Sequence, residues 1–276
     1  MKKSVLLSVL VLALLAGALG LVGCAADKEP AKPAVKPVSD LPAAVQAIKD
    51  AGSLRVGVKA DVPNFGLQDA ATGKFDGMEI DLARALAKRI GLTEDDIKFE
   101  AVTAKTRGPL LDNGQIDVVI ATFTIKPERL EQWNFSDTYY KDEVGLLVKK
   151  SSGIKSLADL DGKTVGVAQG ATSRDAVQAE ADKVSAKVKF LEFATYPEIN
   201  AALGSGRVDA FSVDKSILSG YVTEDSTILP DGFSPQEYGI ASKKGSDELT
   251  KFINEMLAEM NTNGEMTKLV EKWGLN

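Results

Sequence analysis

"IATFTIKPERLEQWNFSDTYY", residues 120–140, holds the turn on which the reading of this chain depends. An apolar, β-branched run ends in Thr122 and Thr124, and Pro127 follows. Proline's fixed φ and missing N–H suit the first position of a helix, so the stretch reads as a strand handing over to a helix. Arg129 then lies in that helix's first turn. Two hydroxyls and an arginine just beyond a strand stand where open α/β sheets hold their ligands.

The same grammar extends in both directions. "LRVGV" (54–58) reads as a buried strand, and "MEIDLARALAKRI" (78–90) has its apolar residues at helical spacing. "IKFEAV" (97–102) reads as a strand, "KTRGPLLDNG" (105–114) as a short helix and "IDVVIAT" (116–122) as the strand that enters the opening stretch. In the second half "TVGVAQG" (164–170) runs into a helix over 171–184, with Thr172 or Ser173 as N-cap. "VKFLEF", "YPEINAALGSG" and "RVDAFSVD" (188–214) give strand, helix, strand, and residues 247–275 give two amphipathic helices broken at Gly264.

Two fragments repeat in the same order. Gly52-x-x-Arg55-Val56-Gly57-Val58 matches Gly162-x-Thr164-Val165-Gly166-Val167 apart from one gap residue. Leu111 to Asp117, "LDNGQID", matches Leu203 to Asp209, "LGSGRVD". The repeat implies two similar α/β lobes with a ligand cleft between them. The residues that follow the strands then face the cleft.

Composition bounds the function. The chain has 276 residues, net charge −6 and no histidine, and its single cysteine is Cys24. Acidity and the lack of basic runs exclude a general affinity for nucleic acid. The missing histidines remove the usual general base and the commonest zinc ligand, and one cysteine allows no intrachain disulfide or cysteine-based metal cluster. No phosphate-loop or dinucleotide glycine spacing is present. No metal and no cofactor are expected.

Lys2 and Lys3 precede an uncharged apolar stretch, Val5 to Val22, which reads as a secretory signal over residues 1–23. The run "LVGC" before the cut site looks like a bacterial lipobox, with lipidation of Cys24. Residues 25–40, "AADKEPAKPAVKPVSD", have the composition of an extended, solvated tether. The reading is therefore signal 1–23, lipidated cysteine and tether 24–40, and an extracytoplasmic, lipid-anchored body held at a membrane that it does not span.

After the strands the sequence offers complementary charges. Arg129 has the planar fork that grips a carboxylate bidentately, Thr124 adds a hydroxyl, and a helix start at Thr172 adds N–H donors. Asp214 supplies a carboxylate for an ammonium group. Together they suit a zwitterion, an α-amino acid. The alternatives are local: Arg129 pairing with Glu128 or Glu131 on a solvated face, Thr124, Thr172 and Asp214 serving only as helix caps, and Tyr196 packing only in the core or at the rim.

Residues 53–276 resemble the polar amino-acid substrate-binding proteins of ABC importers, solute-binding family 3. The match rests on "LRVGVKADVPNFG" (54–66), "FDGMEIDLARALAKRIG" (75–91), residues 116–140, "LADLDGKTVGVAQGATS" (157–173), "VDAFSVDKSIL" (208–218) and "YGIASKKGSDEL" (238–249). The resemblance implies a two-lobed periplasmic-binding-protein-like α/β fold (type II), lobes 41–139 plus 240–276 and 140–239, joined by hinge strands near Tyr139–Glu143 and Gln236–Gly239. It implies that Arg129, Thr124 and an amide at Thr172 hold an α-carboxylate, and that Asp214 holds the α-ammonium. It further implies an ABC permease as partner, a monomeric binding protein, and membrane attachment through the lipid anchor alone.

One departure bears on the ligand. Glutamine-type members commonly have an aspartate near the end of the first strand and an aromatic residue in the loop that follows, where this chain has Lys59 and Val62. Arg107 stands where many relatives carry an uncharged residue. Counting Lys59, Arg107 and Arg129 against Asp214 gives the site a formal +2, and unpaired buried cations are costly. The pattern resembles the aspartate/glutamate branch, in which Lys59 and Arg107, with Thr122 and Tyr196, hold a side-chain carboxylate. The expected ligand is thus an acidic amino acid, with glutamine or another polar amino acid as the alternative. A dehydratase on the same fold and a surface adhesin or sensor are the rivals from other classes.

Overall fold

A computed structural model describes residues 37–275. The signal over 1–23, Cys24 and most of the expected tether lie outside the described residues. The last tether positions do not run free. Val38 donates its N–H to the carbonyl of Arg89 at 3.0 Å and packs on the core.

Two sheets organise the chain. The first orders Ile97–Ala101, Leu54–Val58, Val118–Ile120, Ala241–Lys243 and Trp133–Phe135. Its first three strands run parallel and the last two pair antiparallel. The second orders Lys189–Phe193, Thr164–Ala168, Ala210–Asp214, Tyr140–Lys149 and Ser226–Ile228, with Phe233–Tyr238 also paired to Tyr140–Lys149. Parallel strands covered on both faces by helices need apolar residues throughout, which is why "LRVGV" and "TVGVA" show no polar alternation.

The internal repeat has a structural counterpart. Arg55 N–H donates to Oδ2 of Asp117 at 2.8 Å, and Thr164 N–H donates to Oδ2 of Asp209 at 2.8 Å. In each lobe the repeated aspartate therefore ties one parallel strand to the start of its neighbour. The repeated glycines are also explained. A Cβ on Gly57 would lie 2.6 Å from Cδ1 of Ile116, and one on Gly166 would lie 2.6 Å from Cγ2 of Ile199. Neither strand accepts a side chain on that face.

The lobes join through a paired ribbon. Tyr140–Lys149 leaves the first lobe as Phe233–Tyr238 returns to it, with Tyr238 opposite Tyr140 and Gln236 opposite Asp142. Around this crossing Phe65, Tyr140 and Tyr238 form edge and stacked ring contacts with centroids 5.1–6.0 Å apart. The C-terminal helices Asp247–Thr262 and Glu265–Lys272, separated at Gly264, pack on the first lobe. Trp273 Nε1 and Lys272 Nζ both reach Oδ2 of Asp81, at 2.9 and 2.6 Å.

A small sheet of Asp61–Val62, Gly66–Gln68 and Phe75–Asp76, absent from the sequence reading, follows the first strand. It carries Asp61 and Phe65 to the junction of the lobes. The lobes are closed on one another. Asp61 of the first lobe accepts the Tyr196 N–H of the second at 3.2 Å, and Lys105 Nζ donates to Oε1 of Gln169 at 3.2 Å. Gly170, at φ +75°, lets the backbones meet there, since a Cβ would lie 3.0 Å from the carbonyl oxygen of Ala104. No helix among the described residues is long and apolar enough to cross a membrane.

Candidate functional site

The stretch 120–140 builds one wall of the junction. The strand stops at Ile120, and Thr122 turns the chain with φ +45°, a left-handed conformation that strains a β-branched residue. Both ends of Thr122 are gripped by buried charges. Its N–H donates to Oε1 of Glu79 at 2.5 Å, and its carbonyl accepts Nη1 of Arg107 at 3.1 Å. Arg107 also donates to the carbonyl of Ala121 at 2.6 Å, and its guanidinium lies 3.9 Å from the ring centroid of Phe123. Thr122 is thus a strained turn whose backbone holds the charged groups in place.

Arg129 sits in the helix Pro127–Leu130, begun by proline as the spacing predicts. It makes neither local ion pair that the sequence allowed, and Glu128 pairs instead with Lys126 at 3.0 Å. Nη1 of Arg129 donates to the carbonyl of Thr124 at 2.8 Å, and Nη2 crosses to the carbonyl of Gly170 in the second lobe at 3.2 Å. Burial, then the nearby Arg107, lowers its pKa to about 9, which leaves it cationic at neutral pH.

Neither threonine hydroxyl is spent on a cap. Thr124 Oγ1 and Thr172 Oγ1, one from each lobe, both donate to Oε1 of Gln236, at 2.7 and 3.0 Å. Thr172 occupies the N-cap of the helix Ser173–Lys183 without a side-chain cap bond. The neighbouring Ser173 Oγ is buried with no partner among the described residues.

Asp214 closes the strand Ala210–Asp214 and likewise does not cap the helix after it. Asp142 accepts the Ser216 N–H at 3.1 Å in its place. Oδ2 of Asp214 accepts the Tyr238 hydroxyl at 2.5 Å, and Oδ1 has no partner among the described residues. Burial, then the charge of Asp142, pushes Asp214 up to about 7. Tyr196 is buried at the start of the helix Tyr196–Ser205, with Lys59 Nζ 4.6 Å from its ring centroid. The eight residues singled out from the sequence therefore all lie at the lobe junction.

The charge expected of the site needs correction. Lys59 is 2% exposed and pairs with Oδ1 of Asp61 at 3.0 Å. Burial lowers the lysine's pKa, a shift that Asp61 opposes without cancelling. Glu79, fully buried, lies in the field of Arg107 and Lys59. Lys59, Arg107 and Arg129 thus face Asp61, Glu79 and Asp214, a formal balance of zero where +2 was expected. Asp61 was legible, because residues two apart on an extended chain share a face. Glu79 reads as an ordinary first-turn helix acid until the packing around it is known.

Against this geometry the likenesses to known proteins can be weighed. The profile of the bacterial extracellular solute-binding proteins, family 3, matches residues 54–276. The chain is 40% identical over 230 residues to the ABC transporter glutamine-binding protein GlnH of Bacillus subtilis, spanning 82% of this chain and 83% of that protein. It is 42% identical over 212 residues to a glutamine-binding protein of Geobacillus stearothermophilus, spanning 76% and 79%. The solved structure of an ancestral arginine-binding protein bound to arginine superposes with a TM-score of 0.73 at 41% identity, covering 80% of this chain and 98% of that one. Two closed α/β lobes and a profile match over most of the chain lead to one conclusion: the protein belongs to the bacterial extracellular solute-binding proteins, family 3.

Proposed function

We propose that this binding protein of an amino-acid ABC importer closes on an amino acid whose side chain ends in a carbonyl oxygen, with glutamine as the ligand. Arg129 and the donors at Thr124 and Thr172–Ser173 receive the α-carboxylate, and Oδ1 of Asp214 receives the α-ammonium. The observation that carries the side-chain class is a pair of buried atoms without partners among the described residues, Nε of Arg107 and Oε2 of Glu79, whose groups grip the two ends of Thr122. A carboxamide offers one acceptor and one donor group, which suits that pair. Formal neutrality of the site and the glutamine-binding relatives support the same choice. Arg129 and Thr124 lie on one lobe and Thr172 and Asp214 on the other, so a bound ligand favours the closed arrangement.

A second reading, aspartate or glutamate, is favoured by one observation. Arg107 is buried and no described carboxylate pairs with it within 4.0 Å, so a ligand carboxylate would supply the missing partner. Calorimetry on protein lacking residues 1–23, titrated with glutamine, glutamate, aspartate, asparagine and arginine, separates the two. Glutamine binding at micromolar or tighter affinity is expected. Saturable heat from aspartate or glutamate with none from glutamine leaves only the acidic reading, and silence from all five overturns both.

A further inference from the structure

We propose that Glu79 sets the charge class of the ligand's side chain, as the buried acid that offsets Arg107 so that an uncharged side chain is preferred over an anionic one. The inference rests on the reading above, that the side chain reaches the Arg107 end of the site.

Glu79 lies in the first turn of the helix Met78–Ile90 with no exposed surface. Oε1 accepts the Thr122 N–H and the Tyr139 hydroxyl, each at 2.5 Å, while Oε2 has no partner among the described residues. Arg107 faces it across the same turn, donating to the carbonyls of Ala121 and Thr122. No ion pair within 4.0 Å joins Glu79 or Arg107 to a described residue, so neither charge is consumed locally and both act on the junction through the field. The charged and titratable groups facing Glu79 are Lys59 on the first strand's end, Arg107 on the short helix and Tyr139 at the hinge. Lys59 is already balanced by Asp61. Removing the Glu79 charge leaves Arg107 as an uncompensated buried cation, which an incoming carboxylate neutralises and a carboxamide does not.

The test is the ratio of dissociation constants for glutamate and glutamine, two ligands of the same size, in the wild type and in Glu79→Gln. The ratio is expected to fall roughly tenfold in the variant, since a charge in a low-dielectric site acts on one ligand and not the other. Loosening of the Thr122 turn would weaken both ligands alike, so equal losses or an unchanged ratio overturn the proposal. The wild type gives an independent measurement should the variant not fold. Burial pushes the Glu79 carboxyl up to about 7, so the ratio falls as pH is lowered through that region. Asp214 titrates there too, but it meets the same ammonium in both ligands and cancels in the ratio. A ratio flat with pH counts against the proposal. A wild type that takes neither ligand overturns the underlying reading, and this inference with it.

Discussion

Tyr238 donates its hydroxyl to Oδ2 of Asp214 at 2.5 Å and also approaches Oδ2 of Asp142 at 3.4 Å, so one residue of the ribbon sits between a buried and a half-buried carboxylate. Oδ1 of Asp214 is buried with no partner among the described residues, and burial first and the charge of Asp142 second raise the carboxyl to about 7 against the lowering effect of the Tyr238 hydroxyl. A group in that state makes binding depend on pH.

On the proposed binding mode the α-ammonium pairs with ionised Asp214, and below about pH 7 the ligand-free protein carries a proton there that binding must expel. Affinity is therefore expected to weaken as pH falls from 8 toward 5, by at most about one decade per pH unit. Stability runs the other way. Asp214 and Glu79 both have folded-state pKa values raised to about 7, so the folded state binds more protons than the unfolded one between the ordinary carboxylate range and 7. The ligand-free protein should melt higher as pH is lowered through that window. Calorimetry in buffers of different ionisation enthalpy measures the proton release. Binding heats independent of the buffer at pH 6 would rule the assignment out.

Arg129→Ala tests the carboxylate clamp. Truncating one partner of a buried, hydrogen-bonded charge pair costs roughly 2–5 kcal/mol of affinity. Arg129 makes no ion pair with Glu128 or Glu131, and its donors go to two main-chain carbonyls, so the fold loses little. Binding should disappear from a titration that detects the wild type, with a melting temperature close to the parent's. Retained affinity would mean that the carboxylate lies elsewhere.

Gln236→Leu removes the acceptor shared by Thr124 and Thr172. Each buried hydroxyl left without a partner costs about 1–3 kcal/mol. One kcal/mol lowers the melting temperature of a domain this large by roughly 2–4 °C. A loss of several degrees in ligand-free protein is expected. No change would show that water satisfies both hydroxyls and that Gln236 does not couple the lobes.

The parts legible in the sequence are those written in local signals. Leu54–Val58, Met78–Ile90, the proline start at 127 and the break at Gly264 appear where periodicity and caps put them. The eight candidate residues come together at the lobe junction because they follow strands, and in an open α/β sheet that position is set by topology. The small sheet beginning at Asp61 was not, since strands of two or three residues carry no periodic signal. The conformation of Thr122 was not either, because threonine rarely takes positive φ and only the grip of Glu79 and Arg107 explains it. The charge count failed for a related reason. Reading cations from strand ends counts the residues that point at the cleft and misses acids that packing brings in from a helix.

Cys24→Ser tests the membrane anchor. The lipobox-like "LVGC" and the absence of any other cysteine make this side chain the single thiol for acylation. Full-length protein expressed in a bacterium that processes lipoproteins should incorporate labelled palmitate and partition into detergent, and the serine variant should do neither. Equal partitioning of the two would remove the lipid anchor from the reading.

Asp61→Ala separates closure from ligand charge. Asp61 belongs to the first lobe, yet its carboxylate accepts the Tyr196 N–H and its main-chain carbonyl accepts the Tyr221 hydroxyl, both from the second lobe. Those bonds exist only when the lobes meet. The same carboxylate neutralises Lys59, which burial otherwise disfavours as a cation. Deleting it should raise the glutamine dissociation rate, because changes within one interface act mostly on dissociation. It should also leave Lys59 able to take a ligand carboxylate, so glutamate affinity falls less than glutamine affinity. Stopped-flow dissociation of both ligands checks the two effects together. Equal losses would confine Asp61 to lobe closure, and an unchanged glutamine rate would mean that the carboxylate's contact to Tyr196 contributes nothing to the closed state, the main-chain contact to Tyr221 being kept in the variant.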